Sequence, residues 1–150
     1  MHLATAVKFA RPTFNSMAGD EQRPAGFEGC DVWATILDPR IVANENGGDV
    51  LVVDGAGYLG CALIGSTLAE YGRNNGWSGV IILGAVRDVG AIFTLDFAVK
   101  ALGSNRPKSE KYRTGCIDAV VSFGRVSFTP GHWLYTDADG ILVSSRALHL

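Results

Sequence analysis

An arginine and an aspartate stand side by side in the segment 84–88 (GAVRD), directly after an apolar run. A guanidinium can hold a carboxylate through two parallel hydrogen bonds, and a carboxylate is a hard oxygen ligand suited to Mg²⁺ or Mn²⁺. Arg87 and Asp88 are therefore candidates for a site that binds an anion next to a divalent cation. The competing interpretation is an ordinary surface ion pair.

A second candidate is the start of a predicted helix, where Gly65, Ser66, Thr67 and Leu68 follow one another. The free N–H groups and the positive end of the dipole at a helix N-terminus attract carboxylate or phosphate groups. The alternative is that Ser66 and Thr67 only cap the helix.

A third candidate is the run 55–60 (GAGYLG), which fits the G-x-G-x-x-G pattern of dinucleotide-binding turns. That pattern requires an acidic residue at the end of the second strand to hold the ribose. Here the second strand ends in Gly84 and Ala85, and Asp88 comes too late. A plain glycine turn is the favoured interpretation.

The elements that position these residues form a predicted βαβ unit at residues 50–84. Two short β-branched runs, 50–53 (VLVV) and 80–83 (VIIL), indicate strands buried on both faces of a parallel sheet. Between them, 67–75 reads as a helix, with a capping box from Thr67 to Glu70 and a left-handed C-cap at Gly76. Ligands bind beyond the carboxyl ends of such strands, where both Arg87 and the helix start lie.

The remaining segments indicate an α/β first half and a mostly β second half. Residues 1–26 carry several Pro and Gly residues and are expected to be irregular. Strands are predicted at 30–37, 117–123 and 125–129, a strand leading into a turn at 96–102, a polar loop at 105–115, and a hairpin of 133–136 with 141–144 around a tight turn.

Composition favours one ordinary globular domain covering residues 1–150. The chain has 47% hydrophobic residues, a net charge of −2 and a pI near 5.9, which argue against direct nucleic-acid binding. No apolar run is long enough to span a membrane. The three cysteines form no C-x-x-C pair, and a reducing, cytoplasmic location fits them. The basic loop of Arg106, Lys108, Lys111 and Arg113 reads as a solvated loop or subunit contact, with RNA or an acidic partner as the alternative.

Four blocks of the chain resemble, in order and spacing, the family of class II 4-hydroxy-4-methyl-2-oxoglutarate aldolases and the regulator of ribonuclease activity A. The blocks are VLVVDGAGYLGCALIG, NNGWSGVIILGAVRD, KALGSNRPKS and FGRVSFTPGHWLYTDADGILVS. The resemblance implies a single-domain α/β/β sandwich of the swivelling phosphohistidine-domain type. It also implies a ring-shaped homotrimer with active sites between subunits.

The resemblance further implies a function and a site. Gly65, Ser66, Thr67 and Leu68 match the segment that binds the pyruvyl end of the substrate, Arg87 matches the arginine that grips a 2-oxo acid, and Asp88 matches the metal-binding carboxylate. The implied activity is a Mg²⁺- or Mn²⁺-dependent lyase that cleaves 4-hydroxy-2-oxo acids to pyruvate, with oxaloacetate decarboxylation as a side activity.

Two departures from the family pattern leave alternatives open. Ser66 stands where the enzymes typically carry an acid, and the region before Val50 matches poorly. The main alternative is a non-catalytic regulator of ribonuclease E-type RNA degradation that binds a ribonuclease or helicase. Demethylmenaquinone methyltransferase, an old family label, is disfavoured because the glycine loop lacks a ribose-binding acid.

Overall fold

The computed structural model describes residues 2–4, 7–11, 48–109 and 116–148, with side chains from 48–109 and 118–148. Eleven strands and two helices are assigned within these residues. The strands are β1 His2–Ala4, β2 Val7–Arg11, β3 Val50–Asp54, β4 Ala62–Ile64, β5 Gly79–Val86, β6 Ala98–Ser104, β7 Cys116–Ile117, β8 Val121–Phe123, β9 Val126–Phe128, β10 Trp133–Thr136 and β11 Ile141–Ser144. The helices are α1 Ser66–Asn74 and α2 Val89–Ile92.

The centre of the fold is a parallel arrangement around β5. Strand β3 pairs with the first part of β5, from Val50↔Gly79 to Asp54↔Leu83, and β4 pairs with its last part, Ala62↔Ala85 and Ile64↔Val86. Strand β6 pairs in parallel along the other edge of β5. The predicted βαβ unit is thereby confirmed, with β4 as an additional short strand before the helix. The predicted end of its second strand at residue 83 is wrong, because β5 continues to Val86, two residues before Asp88.

The central strands are buried on both faces, as predicted. Alternate residues of β3 and β5 enter two different clusters, because successive side chains of a strand point to opposite faces. One cluster packs against the helices: Leu51, Val53, Leu63, Ile64, Ala69, Trp77, Val80, Ile82, Val86 and Ile92. The other packs against the β-strands of the second half: Val50, Val52, Ile81, Val121, Phe128 and Leu134. The sheet therefore lies between a helical layer and a β layer.

Helix α1 begins one residue earlier than predicted, and the predicted capping box is wrong. The N-cap is Gly65, and no side chain caps the helix from that position. Thr67 consequently lies inside the first turn, where it cannot act as the N-cap. The C-terminal prediction is confirmed, because Gly76 has φ +82 and the N–H groups of Gly76 and Trp77 donate to the carbonyls of Arg73 and Gly72. This is the Schellman arrangement of backbone bonds.

The expectation that residues 1–26 are irregular is wrong for two segments. Strand β2 pairs in parallel with β3, and β1 pairs antiparallel with β10. Both strands depend on partners far away in the chain, so a local reading of Pro and Gly content could not find them. The strand predicted at 30–37 lies outside the described residues.

The second half follows its prediction in part. The single strand predicted at 117–123 is wrong, because the chain turns at Asp118, with φ +56, and is divided into β7 and β8, which lie in different sheets. Strands β10 and β11 form the predicted hairpin with the predicted bounds, and β8 and β9 pair antiparallel around Gly124. Asp137 Oδ1 accepts hydrogen bonds from the N–H groups of Asp139 (2.9 Å) and Gly140 (3.0 Å), which makes the predicted tight turn. Within the described segments, no helix is long and apolar enough to cross a membrane.

Candidate functional site

The candidate site lies where three neighbouring parallel strands end. Strand β4 ends at Ile64, β5 at Val86 and β6 at Ser104, and their pairing places these ends along one edge of the sheet. Polar residues or a helix N-terminus follow each strand. Ligands in open parallel sheets bind at such carboxyl edges, so this is the position in the fold where a site is expected.

The carboxylate of Asp88 is the centre of this edge. Its Oδ2 atom accepts the Ser66 N–H at 3.2 Å and lies 3.4 Å from Ser66 Oγ. The guanidinium Nε of Arg87 lies 3.5 Å from the same oxygen. All three contacts fall on Oδ2, and Oδ1 makes no hydrogen bond within the described residues. The side chains of Arg87 and Asp88 are 36% and 41% exposed, which leaves both accessible to a ligand.

The backbone at this point has an unusual conformation. Asp88 has φ +57 and ψ +37, the left-handed region that few residues other than glycine occupy. The Arg87 N–H donates to the Ile64 carbonyl at 2.8 Å, and the Asp88 carbonyl accepts from the N–H groups of Ala91 and Ile92. These bonds hold the turn on both sides. Strained conformations of this kind are concentrated at functional sites.

Gly65 provides the space in which these groups meet. A Cβ atom at Gly65 would lie 2.6 Å from Asp88 Oδ2 and 2.7 Å from Arg87 Nε. Any side chain would therefore push the carboxylate or the guanidinium out of place. The sequence placed Gly65, Ser66, Arg87 and Asp88 at one sheet edge, and the structure brings them into contact.

The start of α1 keeps two donors available. The Ser66 N–H is engaged by Asp88, whereas the N–H groups of Thr67 and Leu68 have no acceptor within the described part of the chain. These groups sit in the first helical turn, where N–H groups lack intrahelical partners. Thr67 and Leu68 are thus the members of the predicted segment with N–H groups that can bind an anion.

The glycine run 55–60 has a different role. It leads into strand β4 and not into a helix, so the dinucleotide arrangement is absent there. A Cβ on Gly55 would overlap Leu63 and lie 2.5 Å from the Leu83 carbonyl oxygen, and Gly57 has φ +73. The Ala56 N–H donates to Asp54 Oδ1 at 2.9 Å. The run is a tight excursion between two strands that pair with β5, as the plain-turn interpretation predicted.

The side chains at this edge include oxygen ligands that could bind a divalent cation. Among the described residues, no three His, Cys, Asp or Glu side chains cluster as metal ligands. One carboxylate, Asp88, is present at this edge, and its Oδ1 makes no hydrogen bond within the described residues. Mg²⁺ usually binds through one or two carboxylates and keeps waters and substrate oxygens as its other ligands. The residues fit a cation of that kind and do not fit a closed protein cage.

The described residues also include a free cysteine close to this edge in sequence. Burial raises the pKa of the Cys61 thiol above its ordinary value. The protonated thiol is a poor nucleophile and a poor metal ligand. Cys61 is therefore better explained by packing between the glycine run and β4 than by chemistry.

Sequence reasoning missed two residues at the third strand end, Asn105 and Arg106. They were assigned to a polar loop because β6 was expected to end near residue 102, two residues too early. The parallel order of the strands could have predicted their position, since any residue directly after a third parallel strand must lie at the same edge of the sheet.

Comparison with known proteins identifies the class of protein that has this fold, with an arginine and an aspartate at the carboxyl edge of the sheet. The family model described as RraA-like, Aldolase/RraA, matches residues 31–143. The chain belongs to this family.

Named relatives carry the aldolase label. Proteins of Aromatoleum aromaticum and Halorhodospira halophila named "Putative 4-hydroxy-4-methyl-2-oxoglutarate aldolase" are each 52% identical over 67% and 74% of this chain. The matches span 64% and 68% of those proteins' own lengths. A protein of Dechloromonas aromatica with the same name is 40% identical over 97% of this chain and 90% of its own.

Solved structures with the same fold have been described under different functions. A Geobacillus kaustophilus structure titled S-adenosylmethionine: 2-dimethylmenaquinone methyltransferase has TM-score 0.77 and 31% identity, covering 99% of this chain and 81% of its own. The RNA-processing inhibitor RraA from Thermus thermophilis has TM-score 0.75 and 30% identity, covering 97% and 78%. The mixed α/β architecture of this chain is therefore that of the RraA-like proteins.

Proposed function

We propose that this protein is a divalent-metal-dependent lyase that cleaves 4-hydroxy-2-oxo acids of the 4-hydroxy-4-methyl-2-oxoglutarate type to pyruvate, with oxaloacetate decarboxylation as a side activity. The observation that carries the proposal is the Asp88 carboxylate, which is held through Oδ2 by Ser66 and Arg87 at the carboxyl edge of the sheet. The names of the relatives support the aldolase class.

In this proposal the 2-oxo acid binds through its C1 carboxylate. The Arg87 guanidinium donates to that carboxylate, with the geometry that suits a planar two-oxygen group. The free N–H groups of Thr67 and Leu68 add donors from the helix start, and the helix dipole favours the same negative charge. The substrate is then oriented with its keto oxygen toward Asp88.

In the cleavage the C4 hydroxyl loses its proton to solvent and C4 becomes a carbonyl as the bond between C3 and C4 breaks. The electron pair of that bond is delocalised onto the 2-oxo oxygen, as the enolate of pyruvate, and a proton from solvent at C3 then gives pyruvate. Loss of carbon dioxide from oxaloacetate leaves the same enolate, which explains why one site would serve both reactions. A Mg²⁺ or Mn²⁺ ion held by Asp88 would supply Lewis-acid stabilisation of that negative charge. Ser66 and Arg87 keep the Asp88 carboxylate in place during this change, and Arg87 also offsets the charge.

The test is pyruvate formation from 4-hydroxy-4-methyl-2-oxoglutarate by the wild type and by Asp88→Ala. We expect Asp88→Ala to abolish turnover. Asp118→Ala is the matched control, because Asp118 is also an exposed aspartate with positive φ (+56) but directly follows β7, which β3 and β2 separate from β5. Unchanged turnover in folded Asp88→Ala would overturn the assignment.

A second candidate is a non-catalytic regulator that binds a ribonuclease or helicase. It is favoured by the similarity to the Thermus RNA-processing inhibitor and by Ser66, which replaces an acid that the enzymes usually carry. Absence of turnover combined with direct binding to a purified ribonuclease E-type enzyme would support it. The methyltransferase title of the Geobacillus structure is disfavoured for this chain, because its glycine run leads into β4 and does not form the strand–turn–helix arrangement of a nucleotide-type cofactor site.

The proposal includes a homotrimer with sites between subunits and a single domain of the swivelling phosphohistidine type. Exposed apolar side chains near the site support assembly: Leu102 is 57% exposed, and Leu59 is 48% exposed. Exposed apolar groups of this size often mark protein contacts. A molar mass by light scattering near three times that of the 15.9 kDa chain is expected.

A further inference from the structure

Hydrogen bonds hold the chain at the third strand end of the site, directly after β6, as they do at the ends of β4 and β5. The Asn105 N–H donates to the Val86 carbonyl at 2.8 Å, directly before Arg87. Its side-chain Nδ2 donates to the Leu59 carbonyl at 2.7 Å, and its Oδ1 accepts the Arg106 N–H at 2.8 Å. Asn105 therefore joins the end of β5, the glycine run and the following residue. Its donors and acceptor are used for structure.

The next residue, Arg106, is fixed on both sides. Beyond it, the Pro107 carbonyl accepts the Ala62 N–H at 2.7 Å, on strand β4. The chain thus passes from the end of β6 to the flank of β4, and β5 lies between these two strands. The backbone of Arg106 is consequently held across the end of β5, the strand that Arg87 and Asp88 directly follow.

The guanidinium of Arg106 has no acidic partner within the described part of the protein. Its side chain is exposed, and it forms no ion pair with any described residue. Arg87, in contrast, already lies beside Asp88. Among the described residues, the edge therefore has two guanidinium groups and one nearby carboxylate, so the positive charge of Arg106 remains for an anionic group of a ligand that Arg87 does not bind.

We propose that Arg106 binds the second, distal carboxylate of the substrate and makes the site selective for dicarboxylic over monocarboxylic 2-oxo acids. This inference rests on the proposed function, in which Arg87 holds the carboxylate next to the keto group. A guanidinium on a tethered loop two residues after β6 can reach a carboxylate at the other end of a short carbon chain. Arg106 is then a specificity residue and takes no part in breaking the bond.

The experiment compares binding of two unreactive ligands by isothermal titration calorimetry with Mg²⁺ present. Pyruvate has one carboxylate, and 2-oxoglutarate has the same 2-oxo acid end with a second carboxylate. The variants are Arg106→Gln, Arg106→Lys and Arg87→Gln, with Arg146→Gln as the matched control at another exposed arginine.

We expect wild-type protein to bind 2-oxoglutarate more tightly than pyruvate. Arg106→Gln should weaken 2-oxoglutarate binding by about tenfold, as expected for loss of one charge-assisted hydrogen-bonding group, and leave pyruvate binding unchanged. Arg106→Lys should recover part of that loss. Arg87→Gln should weaken both ligands, and Arg146→Gln neither.

The possible failures are distinguishable. If pyruvate binds but Arg106→Gln changes both ligands equally or neither, the role of Arg106 is wrong and the proposed function stands. If wild-type protein binds neither ligand, both proposals are overturned. For the active enzyme, a rise in KM for dicarboxylic substrates with unchanged kcat would agree with binding, whereas a fall in kcat alone would contradict it.

Discussion

Two glycine-containing segments follow successive strands that pair with β5, and only one of them leaves room for the Asp88 carboxylate. The run 55–60 matches a known cofactor pattern, yet it leads into β4 and its Gly55 is packed against Leu63 and the Leu83 carbonyl. Gly65 matches no pattern by itself, yet it leaves room for Asp88 and Arg87 in front of helix α1. The chemical meaning of a glycine depends on what occupies the place of its missing Cβ and on the element that follows.

The largest expected effect is a loss of activity on substitution of Gly65, which would distinguish this segment from the run 55–60. Gly65→Ala would place a methyl group 2.6 Å from Asp88 Oδ2 and 2.7 Å from Arg87 Nε. One of these groups must move, and a displacement near 1 Å at a reacting centre can cost about 100-fold in rate. We expect a loss of kcat/KM of that order with little change in thermal stability. Wild-type kinetics in Gly65→Ala would contradict the role given to this glycine.

The same substitution in the other segment should act on stability. Gly55→Ala forces a methyl group against Leu63 and a backbone carbonyl, and overpacking of this kind typically costs about 1–3 kcal/mol. Urea denaturation should show that loss, while the folded protein keeps its kcat. Gly90→Ala is the control, because no atom lies within 4 Å of the added group. A Gly55→Ala protein that is stable but inactive would contradict this and would indicate a functional role for the run 55–60.

Ser66 tests how the Gly65 segment supports the carboxylate. Ser66→Ala removes the contact from Oγ to Asp88 Oδ2 at 3.4 Å but keeps the N–H bond at 3.2 Å. Because the lost hydrogen bond is long, we expect only about a threefold fall in kcat. Ser66→Asp supplies the acid that the family resemblance implies at this position, so it should lower the Mg²⁺ concentration needed for half-maximal activity. An increase in that concentration would show that a second carboxylate is not tolerated beside Asp88.

The smallest expected effect is at a turn remote from both segments. The N–H of Gly140, and then that of Asp139, lowers the pKa of Asp137 below its ordinary value. A lowered pKa in the folded state stabilises the protein above the unfolded carboxyl range near pH 4, and this contribution disappears as pH falls through the folded pKa. Asp137→Asn should flatten the fall of Tm between pH 5 and about pH 2, with Asp139→Asn as control. The same fall of Tm with decreasing pH in wild type, Asp137→Asn and Asp139→Asn would contradict this role of Asp137.

The parts of the fold that the sequence predicted well are those with strong local patterns. The buried runs of β3 and β5, the C-cap at Gly76 and the hairpin of β10 and β11 have short-range periodicity or turn chemistry. Strands β1, β2 and β4 were missed because they are short or depend on distant partners. The capping box failed because Thr67 stands inside the first turn, and the contact to the Ser66 N–H comes from Asp88, 22 residues later.

The candidate site was predictable to the extent that strand ends define it. Parallel strands with known carboxyl ends predicted that Ser66 and Arg87 share an edge, and the contacts agree. The left-handed backbone of Asp88 and the tether of Arg106 could not be predicted, because both arise from hydrogen bonds between separate loops.

The most direct measurement is pyruvate release from 4-hydroxy-4-methyl-2-oxoglutarate and from oxaloacetate, with Mg²⁺ or Mn²⁺, then with EDTA, then with the metal restored. The account predicts turnover of both substrates that EDTA removes and added metal recovers. Turnover that EDTA does not affect would contradict the role of the cation at Asp88. Folded protein that releases no pyruvate from either substrate would contradict the lyase and favour the regulator.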